Sequence, residues 1–360
     1  GPQHPSTHGV FRLKLYLDGE IIVKAVPFMG YLHRGVEKLS EKLTMVQLTP
    51  IFDKNDYVSP MMNEQSLVMA FESLLGVEVP RRARYLRTLL AELQRIASHL
   101  LWLGTFAMDL GGALGGGSTL FMYCFREREL ILDLFEQYCG ARLTLNSMRP
   151  GGQPYDLPQG WVERCGEFIA AFPAKVDEYE DLLTENRIWK RRTVGIGVLP
   201  PETAIAYGVT GPMLRGSGVD WDLRKALPYE AYGEVEFDVP VFHNCDTYDR
   251  YLVRIEEMRQ SARIIRQCLD RLPDGPIMAK RPRVLKAAAA TEAYHAVEGP
   301  KGELGFYIVG DGSTNPYRCH VRPTSFMNLQ ALPEMSRGAL ISDLVALIGT
   351  VDIVLGEIDR

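Results

Sequence analysis

Residues 86–100 read Leu86-Arg87-Thr88-Leu89-Leu90-Ala91-Glu92-Leu93-Gln94-Arg95-Ile96-Ala97-Ser98-His99-Leu100. Leu86, Leu89, Leu90, Leu93, Ile96, Ala97 and Leu100 recur at helix spacing, so one face of a long helix is set apart for burial. The apolar character continues from Ile96 to Gly117, about the length a bilayer span needs. But that stretch holds His99 and Asp109 and degenerates into glycines, and ionisable groups at mid-membrane depth are costly. A helix buried inside protein is the better reading.

Working outward, the same period appears in Phe125, Ile131, Leu134, Phe135 and Tyr138. It returns in Trp161, Cys165, Phe168, Ile169, Phe172, Val176, Tyr179, Leu182 and Leu183. A further helix is predicted from Thr247 to Leu272, ended by Pro273 and Gly275. These stripes read as core rather than as cofactor boxes. Toward the N-terminus, Leu13, Leu15 and Leu17 alternate with polar or larger residues, and Asp18-Gly19 is a turn signal, which predicts a β-hairpin. Gly302 to Arg322 reads as a second hairpin turning near Asp311-Gly312, and a short helix is expected near Leu340–Ile348. The class is mostly α with small antiparallel β pieces, an α+β fold. The expected division is a loop and hairpin over 1–30, a helical body over 31–275, and a hairpin and helix over 276–360 packed as one unit with the body.

The chain of 360 residues can bury a large core, and its formal net charge of −5 gives no reason to expect nucleic-acid binding. Its first residues carry no basic and apolar run of the secretory type. Cys124, Cys139, Cys165, Cys245, Cys268 and Cys319 stand singly, with no C-x-x-C pair. Isolated cysteines fit a reducing compartment, and they do not announce a thiolate-bound zinc, nickel or iron–sulfur site. Chemistry must rest on His, Tyr, Asp and Arg.

Five segments are candidates. The chain opens Gly1-Pro2-Gln3-His4-Pro5-Ser6-Thr7-His8-Gly9, where Pro5 forbids a simple helix through both histidines. It reads either as a Pro-stiffened turn with solvated imidazoles or as a mobile loop whose histidine donates a proton near neutral pH. Asp53-Lys54-Asn55-Asp56-Tyr57-Val58-Ser59 combines a phenol with a cation and two carboxylates; Tyr57 is either structural or a donor to a ligand carbonyl. His99 and Asp109 are either satisfied core residues or a partnership in which a carboxylate holds an imidazolium. Gly111 to Ser118 lacks the order of a phosphate-binding fingerprint and reads as a flexible loop, and Arg126-Glu127-Arg128-Glu129 as a solvated helix start or an inter-chain contact.

The longer strings settle the affinity of the chain. GPQHPSTHG at 1–9, GYLHRGVEK at 30–38, DYVSPMMNEQ at 56–65, FREREL at 125–130, MRPGG at 148–152, NRIWKRRTVGIG at 186–197, LRGSGVDWDLRK at 214–225, YDRYLVRIEEMRQS at 248–261, PKGELGFYIVGDGS at 300–313 and the terminal GEIDR stand in one order. With these, nearly the whole chain resembles the D-subunit family of proton-pumping NADH:quinone oxidoreductase, respiratory complex I. That family is similar to the large subunit of nickel–iron hydrogenases with its metal site removed. Here Asp56 and Ser59, and Val354 and Glu357, stand where a hydrogenase would place its two cysteine pairs.

The resemblance implies a helical body of the hydrogenase large-subunit type and a quinone headgroup site in the emptied cavity. Tyr57 and His8 would hydrogen-bond the two quinone carbonyls, Asp109 would pair with His8, and Tyr57 and the His8 imidazolium would supply protons. His4, Ser6 and Thr7 would belong to the quinone-site loop. His33, Arg34 and Lys54 would lie near the terminal iron–sulfur cluster of the neighbouring B-subunit, and this chain itself would bind no metal. The B-subunit, the C-subunit and the membrane-embedded H-subunit of complex I are the implied partners, with a peripheral place on the inner face of an energy-transducing membrane and coupling to proton pumping. Two alternatives are a scaffold in a ferredoxin- or deazaflavin-driven relative and a hydrogenase-type metal enzyme, the latter opposed by the missing cysteine pairs.

The chain departs from the family pattern at Lys54, where Arg is common, and at Thr144, where many members carry His. DLGGALGGGSTLFMY after Met108 is longer than usual, and the stretch between Pro276 and Pro300 is shorter.

Overall fold

Helices dominate the chain because its apolar residues keep the 3.6-residue period over long stretches. The computed structural model describes residues 4–110 and 117–360. Of the run Gly111–Ser118 read above as a loop, 111–116 lie outside the described residues, as do residues 1–3, and Gly117 and Ser118 begin a helix. The principal helices are α1 (Met45–Phe52), α2 (Pro60–Leu75), α3 (Arg81–Asp109), α4 (Gly117–Cys139), α5 (Trp161–Leu183), α6 (Thr247–Asp270), α7 (Leu344–Val351) and α8 (Leu355–Asp359). Helix α3 is the axis of the body. Leu86, Leu89, Leu90, Leu93, Ile96 and Leu100 are fully buried along it, and it packs against α4 and α6. No helix among the described residues is long and apolar enough to cross a membrane.

Local chemistry sets the helix ends. The Asp246 side chain accepts from the Asp249 amide and starts α6, which stops at Asp270, two residues short of Leu272. Gly76, at φ 63°, lets α2 end in the left-handed conformation. Of the predicted stripes, Leu182 is 40% exposed and does not belong to the core face of α5. Arg126–Glu129 is not a solvated helix start but the interior of α4. Glu127 and Arg128 are buried there, and Tyr179 donates to Glu127 across 2.5 Å.

The strands form two antiparallel sheets among the described residues, one of two strands and one of three. In the first, β1 (Arg12–Asp18) pairs with β2 (Ile21–Phe28), with Asp18 opposite Ile21 and a bulge at Tyr16/Leu17. The second sheet has the order β3 (Ala289–Gly299), β4 (Gly302–Asp311), β5 (Pro316–Arg322). The hairpin expected at 302–322 is therefore two-thirds of a sheet whose first strand the alanine-rich start of 289–299 concealed. Ser66 on α2 donates to carbonyls of His295 and Leu304, fixing this sheet on the helical body.

The two ends of the chain meet. Ile22 donates to the Ala339 carbonyl, and Gly338 and Ile341 donate back to Ile22 and Glu20. Both carboxylate oxygens of Asp359 accept from the amides of Gly30 and Leu32, while Arg34 and Gly35 donate to the Arg360 carbonyl. These bonds tie residues 20–35 to residues 338–360.

Candidate functional site

Residues 4–9 are not an open loop. Pro5–Thr7 form one 3-10 turn, closed by the His8 amide donating to the Pro5 carbonyl. His8 follows at φ 49°, a left-handed conformation that short polar side chains tolerate better than most. The turn is seated on α3 and α7. Gly349 makes this possible: a Cβ there would stand 2.5 Å from the Phe106 ring and 3.2 Å from Ser6 Oγ. Trp102 on α3 donates to the Gly349 carbonyl across 2.7 Å and locks the same crossing.

The turn brings His8 to Tyr57. Tyr57 Oη lies 2.6 Å from His8 Nδ1, with the rings edge to face at 5.6 Å. Burial pushes the His8 imidazole down to about 4, and the Lys301 ammonium adds to this against the opposing pull of Asp56 and the Ile353 carbonyl. Burial, and then the Asp56 carboxylate, push the Tyr57 phenol above its ordinary value. At neutral pH the proton therefore stays on Tyr57, which donates to Nδ1 of a neutral His8. His8, with Val58 next to Tyr57, lines a narrow cleft of about 30 Å³ together with Ser6, Leu101, Trp102, Asp352 and Ile353. A larger groove, about 380 Å³ between α4 and α5, is lined by none of these residues. We place the site by its chemistry rather than by size.

Three expectations change here. Asp109, at the end of α3, pairs with His4 and Ser6, not with His8. His4 Nδ1 is 3.3 Å from Oδ1, and Ser6 donates to Oδ2 from its amide at 3.2 Å and from its hydroxyl. The 3-10 turn is the reason, since it points Ser6 back at α3 and carries His8 across to Tyr57. Burial raises the Asp109 carboxyl, against the pull of Ser6 and His4. His8 itself is neutral rather than an imidazolium. Thr7 is turned inward, its hydroxyl donating to the His4 carbonyl. His99 has no partnership with Asp109 either. Its Nε2 lies 2.8 Å from Glu257, and burial brings its pKa down to about 4 despite that carboxylate.

Behind the pair lies a buried group of charges. Ser59 donates to Asp56 across 2.6 Å, and Lys301 reaches Asp56 at 3.1 Å, Asp352 at 3.9 Å and Ser98 at 3.2 Å. Glu357 accepts from the amides of Thr324 and Ser325, and burial and Asp56 raise its carboxyl. The turn 354–357 sits on the turn 54–57 so closely that a Cβ at Gly356 would be 2.7 Å from the Asn55 carbonyl. Thus the positions expected to correspond to two cysteine pairs do converge, bearing Asp56, Ser59, Val354 and Glu357. Among the described residues no group of three His, Cys, Asp or Glu side chains is disposed to hold a metal ion. Lys301 and Asp352 were not singled out from the sequence; the only signal was Lys301 inside the PKGELG string.

His33, Arg34 and Lys54 cluster at one exposed face. His33 Nδ1 contacts the Asp359 carbonyl at 2.6 Å, Arg34 donates to Asn55 at 2.7 Å and Lys54 donates to the Pro50 carbonyl at 2.6 Å. Beneath them burial raises Asp53 to about 6 and Glu64 to about 8, although Glu64 accepts from the amides of Ser147 and Met148.

Comparison with known proteins defines first the class. The family described as "Respiratory-chain NADH dehydrogenase, 49 Kd subunit" matches residues 115–290 and 284–360. The chain is also 55% identical over 360 residues to the NADH-quinone oxidoreductase D-subunit 2 of Solibacter usitatus, covering all of this chain and 96% of that protein. It is 52% identical over 384 residues to the NADH-quinone oxidoreductase D-subunit of Geotalea uraniireducens, with 100% and 97% covered, and 51% identical to the Geobacter metallireducens protein of the same name. The chain belongs to this D-subunit family. The Solibacter alignment needs no more positions than this chain has residues, whereas the Geotalea one needs 384. The two family matches meet at 284–290, within the stretch read as shortened.

Proposed function

We propose that this chain forms the quinone headgroup site of a proton-pumping NADH:quinone oxidoreductase, with its electrons delivered from an iron–sulfur cluster in a neighbouring B-subunit. The Tyr57–His8 hydrogen bond, whose His8 lines a cleft under the N-terminal turn, is the observation that carries this reading. The two groups now satisfy each other across 2.6 Å, so a headgroup bridging both displaces that bond and takes Tyr57 Oη–H and the imidazole N–H as its donors.

Reduction of a quinone to the quinol takes two electrons and two protons. The phenol held above its ordinary value keeps its proton until reduction makes the quinone oxygen strongly basic, and then transfers it. The tyrosinate left behind is a strong base in a buried place and recovers a proton. Neutral His8 bonds the second oxygen through its ring N–H; as negative charge builds there, Nδ1, freed when Tyr57 turns to the quinone, takes up a proton from solvent while the N–H proton passes to the oxygen, so the ring ends neutral. Asp109 anchors the turn through Ser6 and His4, so a change in its charge moves the turn and with it His8. That is the device by which the site would signal toward a membrane arm.

The exposed Arg34 and Lys54 cations, with the His33 imidazole next to Arg34, suit a face that stabilises a reduced cluster in a partner. The hairpin leaves Tyr16, Leu17, Ile21 and Val23 exposed, which fits coverage by neighbouring chains such as the B-subunit, the C-subunit and the membrane-embedded H-subunit. The reading puts the chain peripherally on the inner face of an energy-transducing membrane, and the lack of a membrane-crossing helix among the described residues supports the peripheral part of it. Photolabelling of the assembled complex with an azidoquinone tests the assignment. Label is expected in peptides bearing His8, Tyr57 or residues 101–105, competed by unlabelled quinone. Label confined to other peptides overturns it.

A further inference from the structure

The most heavily compensated cation near the site has no part in the chemistry so far. Lys301, in the turn between β3 and β4, is 2% exposed, yet it carries an ammonium that burial alone would disfavour. It is surrounded by groups from every element packed on it. Asp56 comes from the turn ahead of α2, Ser98 from α3, Asp352 from the residue after α7 and Glu357 from α8. Arg254 on α6 faces Asp352 from the other side and lies 4.2 Å over the Trp102 ring. Among the described residues Asp352 Oδ2 has no hydrogen-bond partner, and it lies 3.9 Å from the Lys301 ammonium. Asp352 also lines the cleft beside His8.

We infer that Lys301 is a positioning residue for quinone reduction: its buried ammonium holds the Asp56 and Asp352–Glu357 segments together behind the Tyr57–His8 pair. The inference rests on the quinone-site reading above. The geometry is that of a single internal cation binding three chain segments, each of which carries or borders a site residue. Asp56 precedes Tyr57, Asp352 precedes Ile353 in the cleft, and the 354–357 turn abuts Tyr57. Lys301 and Asp56 also act on His8 with opposite signs, the ammonium disfavouring the imidazolium and the carboxylate favouring it.

The test uses the assembled complex in membrane vesicles carrying Lys301→Met, Lys301→Arg, the double change Lys301→Met with Asp56→Asn, and Tyr57→Phe. Quinone reduction is followed as a pH profile, beside electron transfer to an artificial acceptor upstream. Lys301→Met is expected to move the acid limb of quinone reduction up by about one pH unit or more, the size of a lost like charge in a buried site. Lys301→Arg is expected to leave the limb in place. The double variant removes the carboxylate nearest the lost ammonium, leaving less uncompensated charge than the single change, and so keeps the test open if the single change fails to assemble; its limb is expected to move upward by less. Limbs that stay where the wild type has them, with or without loss of rate, overturn the inference and leave Lys301 a structural counter-ion. If Tyr57→Phe retains full quinone reduction, it is the site reading that falls; if Tyr57→Phe is dead and the limbs do not move, only the role of Lys301 falls.

Discussion

Replacing Gly356 by alanine drives a methyl group into the turn that carries Tyr57. The new Cβ would stand 2.7 Å from the Asn55 carbonyl oxygen, 3.2 Å from the Lys54 carbonyl and 3.2 Å from Tyr57 Cε1. The first two are backbone atoms in a turn held by the Asn55 amide on the Phe52 carbonyl and the Ser59 amide on the Asp56 carbonyl, so they cannot swing aside. Ordinary contact begins near 3.4 Å, and the two turns must therefore part by about 0.7 Å. Overpacking of this kind costs about 1–3 kcal/mol. Alanine regains about 0.4–1 kcal/mol through the unfolded chain. The net expectation is a loss of roughly 1–2 kcal/mol. Displacement of a positioned group by about 1 Å costs up to roughly a hundredfold in rate, so quinone reduction should fall about tenfold while upstream electron transfer persists. Gly166→Ala in α5 is the matched control, since nothing lies within 4 Å of its new Cβ. Quinone reduction within twofold of wild type in Gly356→Ala would refute the argument that the C-terminal turn positions Tyr57.

Three other outcomes are expected. Asp109→Asn weakens the acceptor for the Ser6 amide and hydroxyl and removes the charge facing His4. It should cost about 1–3 kcal/mol in anchoring the turn and be read as faster protease cleavage within residues 4–10 together with slower quinone reduction. Glu64 has its carboxyl raised from 4.5 to about 8 by burial, so the folded chain binds the extra proton. The stability this gives is fully present below the unfolded value and is lost as pH rises through about 8; Glu64→Gln should remove that loss in the thermal midpoint of the complex, and an unchanged slope would count against it. Arg254→Met removes the guanidinium 4.2 Å over Trp102 and strands the Thr350 carbonyl it bonds at 2.9 Å, lowering the thermal midpoint by an amount worth about 2 kcal/mol.

The helical body was legible because burial and period coincide. Leu86 through Leu100 announce α3, and the Asp18-Gly19 turn announces the hairpin, since each is a local signal read within a few residues. Strand β3 was not legible, because 289–299 begins in alanines and carries its pairing partners only in β4. The site was legible in part. His8 and Tyr57 stood out through the family strings, and the structure joins them by a direct bond. Asp109 was expected with the wrong partner, since nothing local tells that one 3-10 turn sends Ser6 toward α3 and His8 away from it. Lys301, 245 residues from Asp56, escaped notice for the same reason. Buried ion pairs across such separations are products of topology, and a lone lysine in a turn reads as solvated.

The central claim is that Tyr57 hands a proton to the quinone. The measurement that tests it most directly is quinone reduction by the assembled complex carrying Tyr57→Phe, beside electron transfer to an artificial acceptor upstream. Loss of quinone reduction by roughly a hundredfold or more with the upstream reaction intact is the predicted result, the size of a lost proton donor. Near wild-type rates in both reactions would contradict it.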